Sequence, residues 1–373
     1  MLILSCITSQ MIDFQNKIMT PVGDMSSNAQ GPKAIVFPIP NQQCEKICER
    51  REIHKWSKNE LEIFKNAILG MYKDGLWRQL VQMHIDASTY AHWNSRFFPW
   101  HRAFLAILEK TMQTHYNKNI CLPYWDVSKE ATSPFESIVW GSEYFGGNGH
   151  PQTNCVQSGP FSHFVDNNGG CLQRAFGATS QMSPDQQRQQ SQFGYFVDDS
   201  TIAKIISDSV NYEDFRGIFE LFPHQMMHTS TGGTMRTMGS NLDPIFYVIH
   251  GLVDKTWDDF ITKQRTQGLQ DLYSGSPINI NEVMLWTRMN PYHILDTESL
   301  CYRYATTDPP NLSAVSIQAF PPIPADWLLM NNIKPEEVEK WTNRFKKLLP
   351  TQVVNGPSYI ALEESPSNTT ISQ

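Results

Sequence analysis

Apolar residues between Asp243 and Trp257 fall on nearly every face of a helical projection. That pattern predicts a helix buried on all sides rather than one lying on the surface. Asp243 is a favourable N-cap residue, and Pro244 at the first helical position sacrifices no hydrogen bond, so the helix is predicted to start here. His250 and Asp254 then lie one turn apart on one side. A buried imidazole needs partners for both ring nitrogens, and a metal on one with a hydrogen bond on the other supplies them. A lone histidine on an apolar helix is more often an ordinary core residue, so the reading depends on what else the chain offers.

The remaining pattern is mostly helical. Ser57-Lys58-Asn59-Glu60 is a capping-box sequence ahead of Leu61, Phe64, Ile68 and Met71 at helical spacing. Residues 76–93 carry further apolar positions, and a helix is predicted from about Pro99 through Leu105, Leu108 and Met112. Cys121 to Asp126 reads as extended. Residues 130–200 are rich in Gly, Ser, Asn and Gln and are predicted to form a surface excursion tied by Cys155 and Cys171. Helical pattern returns from Tyr212 to His228, breaks at Gly232-Gly233, and resumes at Asp243, with a further helix over roughly 257–267. Cys301 to Tyr304 reads as a short strand. The expected organisation is an irregular lead-in over 1–43, a main domain over 44–304, and a wrapped extension over 305–373 with a helix from Glu336 to Leu348 and a disordered end.

Composition narrows the function classes. With 30 Lys and Arg against 37 Asp and Glu the net charge is −7, and there is no basic run, so nucleic acid is not an expected partner. No apolar stretch approaches the ~20 residues of a membrane span. The 7 cysteines make no CxxC pair, which argues against a thiolate zinc site. Their scatter among loops fits a secreted, disulfide-stapled protein with one cysteine left over. Cys44 and Cys48 are spaced as one helical turn. Met1 to Ile7 is short for a secretory leader and has no preceding basic residue. Asn311 and Asn368 head glycosylation sequons.

The histidines carry the chemistry. His84, His92 and His101 are closely spaced, His224 and His228 stand at i,i+4 on one helix face, and His250 follows. Two sets of three imidazoles point to two metal ions with open coordination positions, and an all-nitrogen donor set suits copper or zinc. No Glu follows His224, so the metalloprotease motif is absent. The bridging carboxylates of a paired-zinc hydrolase are missing from these segments too.

Ala91-His92, Phe97-Phe98-Pro99-Trp100-His101-Arg102-Ala103-Phe104-Leu105 and Leu122-Pro123-Tyr124-Trp125-Asp126 together resemble the first copper motif of tyrosinases. His224…His228, Gly232-Gly233-Thr234-Met235 and Asp243-Pro244-Ile245-Phe246…His250…Asp254…Trp257 resemble the second. Gly159-Pro160-Phe161 and Tyr302-Arg303-Tyr304 match further family landmarks, so the likeness spans roughly residues 44–304. The resemblance implies a mainly α protein: a four-helix bundle holding a dinuclear copper centre, with long irregular loops and little β structure. It assigns His84, His92 and His101 to the first copper and His224, His228 and His250 to the second. The implied activity is oxidation of o-diphenols to o-quinones with O2 as co-substrate, with ortho-hydroxylation of monophenols in true tyrosinases. The implied partners are a small phenol and dioxygen. The alternatives are a haemocyanin-like O2 carrier and a silent, zinc-loaded relative.

Glu220 corresponds to a family glutamate that holds a water near the second copper and would act as general base. A solvated helix glutamate is the bland reading. Phe97 corresponds to an aromatic beside the ligand rings, or is a plain core residue. Asp254 either orients a group behind the ligands or simply continues its helix. His54, His115, His150, His163 and His293 read as surface or structural. Three positions depart from the pattern. Gln225 stands where many monophenol-hydroxylating members have Asn helping to hold the base water. Ile249 replaces the first His of the usual His-His pair, and Tyr90 replaces a Cys that cross-links to a ligand in many fungal and molluscan members.

Overall fold

A computed structural model describes residues 31–131, 133–176, 196–306, 328, 331 and 333–348. The expectations for residues 1–30, the extreme C-terminus, Cys6 and both sequons fall outside these.

The described chain is mainly helical. The ligand-bearing bundle comprises α2 (Leu76–Asp86), α4 (Phe97–His115), the pair α6 (Tyr212–Phe219) and α7 (Gln225–Thr231), and α8 (Ile245–Thr266). Around it lie α1 (Lys58–Lys73), the short α3 (Ser88–Ala91), α5 (Asp199–Asp208) and α9 (Pro335–Leu348). The capping box at Ser57 forms as expected, its hydroxyl accepting from Glu60 N–H while Glu60 returns to Ser57 N–H.

The α8 helix is buried almost all round through Trp257, as its apolar pattern required. Its start is displaced by one residue: Asp243 lies just outside, and its carboxylate accepts from Ile245 N–H at 3.1 Å. The separate helix expected after Trp257 does not exist, because α8 continues unbroken to Thr266. Phe260 and Ile261 are buried and prolong the core face. Trp257 stacks on Phe98 of α4 at 5.6 Å and Phe260 on Phe215 of α6 at 4.2 Å. Each fully buried aromatic of this kind contributes on the order of 2–3 kcal/mol. The α4 helix likewise begins at Phe97, two residues earlier than expected. Pro99 sits in its first turn, where no hydrogen bond is lost.

The only described sheet is a parallel pair, β1 (Cys48–Arg50) with β2 (Tyr302–Tyr304), in the register Cys48↔Tyr302. Disulfides Cys44–Cys301 and Cys48–Cys121 brace it. Cys48 therefore lies on a strand and not one helical turn from Cys44, and the two cysteines reach different partners.

Residues 130–200 require a correction. Cys155 and Cys171 are bridged, but the described part of the segment is no surface excursion. Trp140, Phe145, Phe161, Phe164, Leu172 and Arg174 are buried. Arg174 pairs with Asp243 through Nε at 2.7 Å and Nη2 at 2.8 Å, and also donates to the carbonyl of Phe145 at 3.1 Å. The segment thus clamps the N-terminal end of α8. It also presses on Gly232 and Gly233, both at positive φ. A Cβ on Gly232 would lie 2.7 Å from the Ala175 carbonyl, and one on Gly233 would meet that of Gln173.

Candidate metal centre

Helix α2 supplies His84, the end of α3 leads into His92, and α4 supplies His101 from its second turn. Between α6 and α7 the chain makes a wide π-type turn, Glu220–His224, with Pro223 inside. Proline withholds one N–H from the ladder, and such a bulge accommodates it. The turn delivers His224, α7 carries His228, and α8 carries His250. All six rings are buried.

They converge as two triads. One nitrogen from each of His84, His92 and His101 lies within 4.8 Å of the others, and the same holds for His224, His228 and His250. The triads face one another, with His101 stacked on His250 at 4.6 Å. Phe97 touches both sets, at 4.9 Å from His101 and 4.7 Å from His224. Phe246 does the same from the other side, at 5.0 Å from His84 and 3.9 Å from His250.

Five of the six Nδ1 atoms face backbone carbonyls. His92, His101 and His224 reach the carbonyl four residues earlier, on Ser88 (2.9 Å), Phe97 (2.8 Å) and Glu220 (3.2 Å). His84 and His228 reach Met238 and Met235, each at 2.7 Å, in the loop that Gly232-Gly233 opens. A carbonyl only accepts, so Nδ1 carries the proton and the Nε2 lone pair is turned inward. Burial depresses every one of these imidazoles, reinforced by neighbouring rings in all but His228: His84 and His228 fall to about 4, and the other four go well below the usual range. The rings are neutral at physiological pH.

That arrangement leaves inward nitrogens without protein partners. Nε2 of His84, His101 and His224 is buried and unpaired, and Nε2 of His228 faces that of His250 at 3.1 Å. Buried lone pairs left unsatisfied are costly. A cation in each triad would satisfy them, and the donor set of neutral imidazoles, without thiolate or carboxylate, fits copper or zinc. The residues present therefore fit a dinuclear centre.

Glu220 is fully buried, which overturns the solvated reading. Its Oε1 accepts from Trp93 N–H at 2.6 Å and its Oε2 from Arg216 Nη1 at 2.7 Å. Trp93 follows His92 directly and adopts φ of 58°, a left-handed turn that aims its N–H at the carboxylate. Glu220 thereby connects the His92 segment to the His224 turn. Burial pushes its carboxyl up to about 7, while Arg216 and the Trp93 N–H pull the other way.

Gln225 is buried beside His224, and its side-chain amide makes no hydrogen bond among the described residues. Ile249 is buried in the core, so the departure next to His250 is apolar and shut off from the surface. Asp254 lies behind the ligands as the acceptor for Arg102, Arg50, Tyr302 and Tyr304. His54 pairs with Glu52 at 2.8 Å, outside both triads. Sequence reasoning missed Phe246 as the second aromatic wall, and missed Trp93 and Arg216 as the holders of Glu220. Only Arg216 had left a signal, the i,i+4 spacing of an ion pair.

Comparison with known proteins agrees with this geometry. The chain is 27% identical over 259 residues to a tyrosinase of Streptomyces glaucescens, covering 64% of this chain and 92% of the relative. It is 29% identical over 255 residues to a tyrosinase of Streptomyces antibioticus, covering 62% and 90%. The tyrosinase-like protein phomQ1' of Diaporthe leptostromiformis is 27% identical over 248 residues, covering 58% of this chain, which spans only 64% of that relative's length. Among solved structures, a polyphenol oxidase variant from Thermothelomyces thermophila superposes with a TM-score of 0.55 at 18% identity, over 72% of this chain and 91% of that one. The model of the common central domain of tyrosinase matches residues 74–263, half of the chain, and with that match the chain belongs to the tyrosinase family, whose type-3 dicopper centre the two histidine triads fit.

Proposed function

We propose that this chain is a dicopper oxidase that uses O2 to convert o-diphenols to o-quinones and also hydroxylates monophenols at the ortho position. The observation that carries the reading is the pair of facing, neutral, all-imidazole triads in which Nε2 of His84, His101 and His224 is unpaired and those of His228 and His250 meet only each other. His84, His92 and His101 would hold one copper, and His224, His228 and His250 the other. Bound copper supplies the one-electron couples by which two electrons pass from each diphenol towards dioxygen. Two diphenols and one O2 thus balance two quinones and two waters.

The chain's own residues do the rest. The carbonyls of Ser88, Phe97, Glu220, Met235 and Met238 fix the ring orientations. Phe97 and Phe246 wall the centre against water. Glu220, kept near its ligand turn by Trp93 and Arg216, takes the phenolic proton through a water, and the free amide of Gln225 helps hold that water. We assign this chemistry to a unit spanning 44–304. The disulfides favour an oxidising, extracellular setting.

Metal analysis of the purified protein, followed by O2 uptake with catechol and separately with tyrosine, tests the reading. Two coppers per chain and uptake with catechol are expected. Zinc in place of copper, or two coppers with no uptake, would sink it.

A further inference from the structure

A cleft of about 440 Å3 opens beside the first triad, and its walls come from three separate parts of the chain. It is lined by His92, Trp93 and Asn94, by Arg216 and Leu221, and by described residues of the C-terminal part, among them Asn331, Ile333 and Trp341. The last wall is firmly seated. The Trp341 indole occupies the place where any Cβ on Gly217 would stand, Phe345 stacks on Phe222 at 4.3 Å, and Arg344 binds Asp214 at 2.9 Å. The C-terminal helix is thus a built part of the cleft.

Most polar groups lining it are already engaged. The Asn94 amide donates to the carbonyls of Tyr90 and His92 at 3.0 and 2.7 Å. Glu337 accepts from Trp341 Nε1 at 2.8 Å. Arg216 spends both terminal nitrogens on Glu213 and Glu220, leaving its buried Nε as a donor without an acceptor. Lys334 and Glu336, of opposite charge, stand at its exposed edge, while the buried part offers Leu221 and Ile333, with aromatic surface from Trp93 and the edge of His92. Its volume lies within the range of roughly 300–1,000 Å3 typical of sites for drug-sized ligands, and far exceeds what one phenol ring fills.

Building on the oxidase reading, we infer that this cleft is a substrate subsite that selects phenols bearing a second flat, uncharged ring para to the reacting hydroxyl. The phenol enters the dinuclear centre past His92 while the second ring lies between Trp93, Leu221 and Ile333. The C-terminal segment then determines substrate size.

The test compares catechol with biphenyl-3,4-diol on the copper-loaded full chain, native and with Ile333→Trp or Asn331→Trp filling the cleft. The native protein should show the higher kcat/KM on the biphenyl diol, carried mainly by KM. Each filling variant should lower that value about tenfold while catechol stays within about twofold. Calorimetric binding of 4-phenylphenol under argon should weaken in parallel. Equal native efficiency on both diols, or variants that leave the biphenyl diol untouched, would overturn the subsite. So would an equal loss on both diols, which would make the segment a general gate. A protein that holds two coppers yet oxidises neither diol overturns the oxidase reading itself.

Discussion

Arg102 Nε donates to Asp254 Oδ1 across 2.6 Å, and both side chains are shut away from solvent. Arg102 follows His101 directly, and Asp254 lies one turn beyond His250, so this pair joins the helix of one triad to the helix of the other. The other oxygen of Asp254 accepts from the hydroxyls of Tyr302 and Tyr304, each at 2.6 Å, and from Arg50 at 3.3 Å. Strand β2 and the start of the domain are thereby fastened to the back of the metal centre.

Removing the carboxylate leaves buried Arg102 with only Asp258, at 3.6 Å, as counter-charge, while Arg50 keeps Glu109 at 2.9 Å. Asp254→Ala is expected to cost about 3–5 kcal/mol, the usual penalty for breaking a buried ion pair from one side. Tyr302→Phe deletes a single charge-assisted hydrogen bond and should cost about 1.5–3 kcal/mol. Urea unfolding of the metal-free protein checks both. A loss below about 1 kcal/mol for Asp254→Ala would show that the network does not hold the two helices together.

Much of this scaffold was legible in the chain. The α8 helix announced itself because apolar residues cover every face, and the i,i+4 spacing of His224 and His228 placed both on one side. The role of residues 130–176 was hidden. Its Gly- and Asn-rich composition describes the loops, while a few bulky residues such as Trp140, Phe161 and Arg174 carry the burial. The bond from Trp93 to Glu220 was also invisible, since it depends on a left-handed turn at a tryptophan, which no propensity signals. The carbonyls of Met235 and Met238 are backbone groups, so side-chain identity gave no hint of their use.

Loss of a single ligand should empty one site and spare the other, because the triads draw on different helices. Replacing His84 or His228 by Ala is expected to reduce copper from two ions per chain to about one, measured by elemental analysis after dialysis. Because bound metal stabilises only the folded state, copper loading should raise Tm and chelation should lower it. A His84→Ala protein that keeps both ions would remove His84 from the ligand set.

Acid should destabilise the metal-free protein steeply. Folding lowers the imidazole of His84 from its ordinary value to about 4, and His228 likewise. The unfolded chain therefore binds more protons than the folded one at intermediate pH. Stability is fully present above about 6.5 and drains away as pH falls towards 4. Each such ring is worth on the order of 3 kcal/mol when the range is crossed. Thermal melts of the metal-free protein at neutral pH and near pH 5 should show a large drop in Tm. Replacing His228 with Gln should reduce that drop, and an unchanged pH dependence in this variant would refute the assignment.

The proton-accepting role of Glu220 can be separated from its bridging role. Glu220→Gln keeps an oxygen for the Trp93 N–H, loses the acceptor for Arg216, and cannot take a proton, so monophenol hydroxylation should fall by roughly 10²–10⁴-fold, with diphenol oxidation affected less. Burial pushes the native carboxyl up to about 7. Bound copper would draw this titration below the metal-free value, so the base form accumulates as pH rises and monophenol turnover should climb with it. The climb should vanish in Glu220→Gln. The neighbouring amide tests the same water from the other side: Gln225→Asn should raise the ratio of monophenol to diphenol turnover. If Glu220→Gln instead lowers both activities equally and leaves the pH profile intact, the carboxylate only ties the His92 segment to the His224 turn.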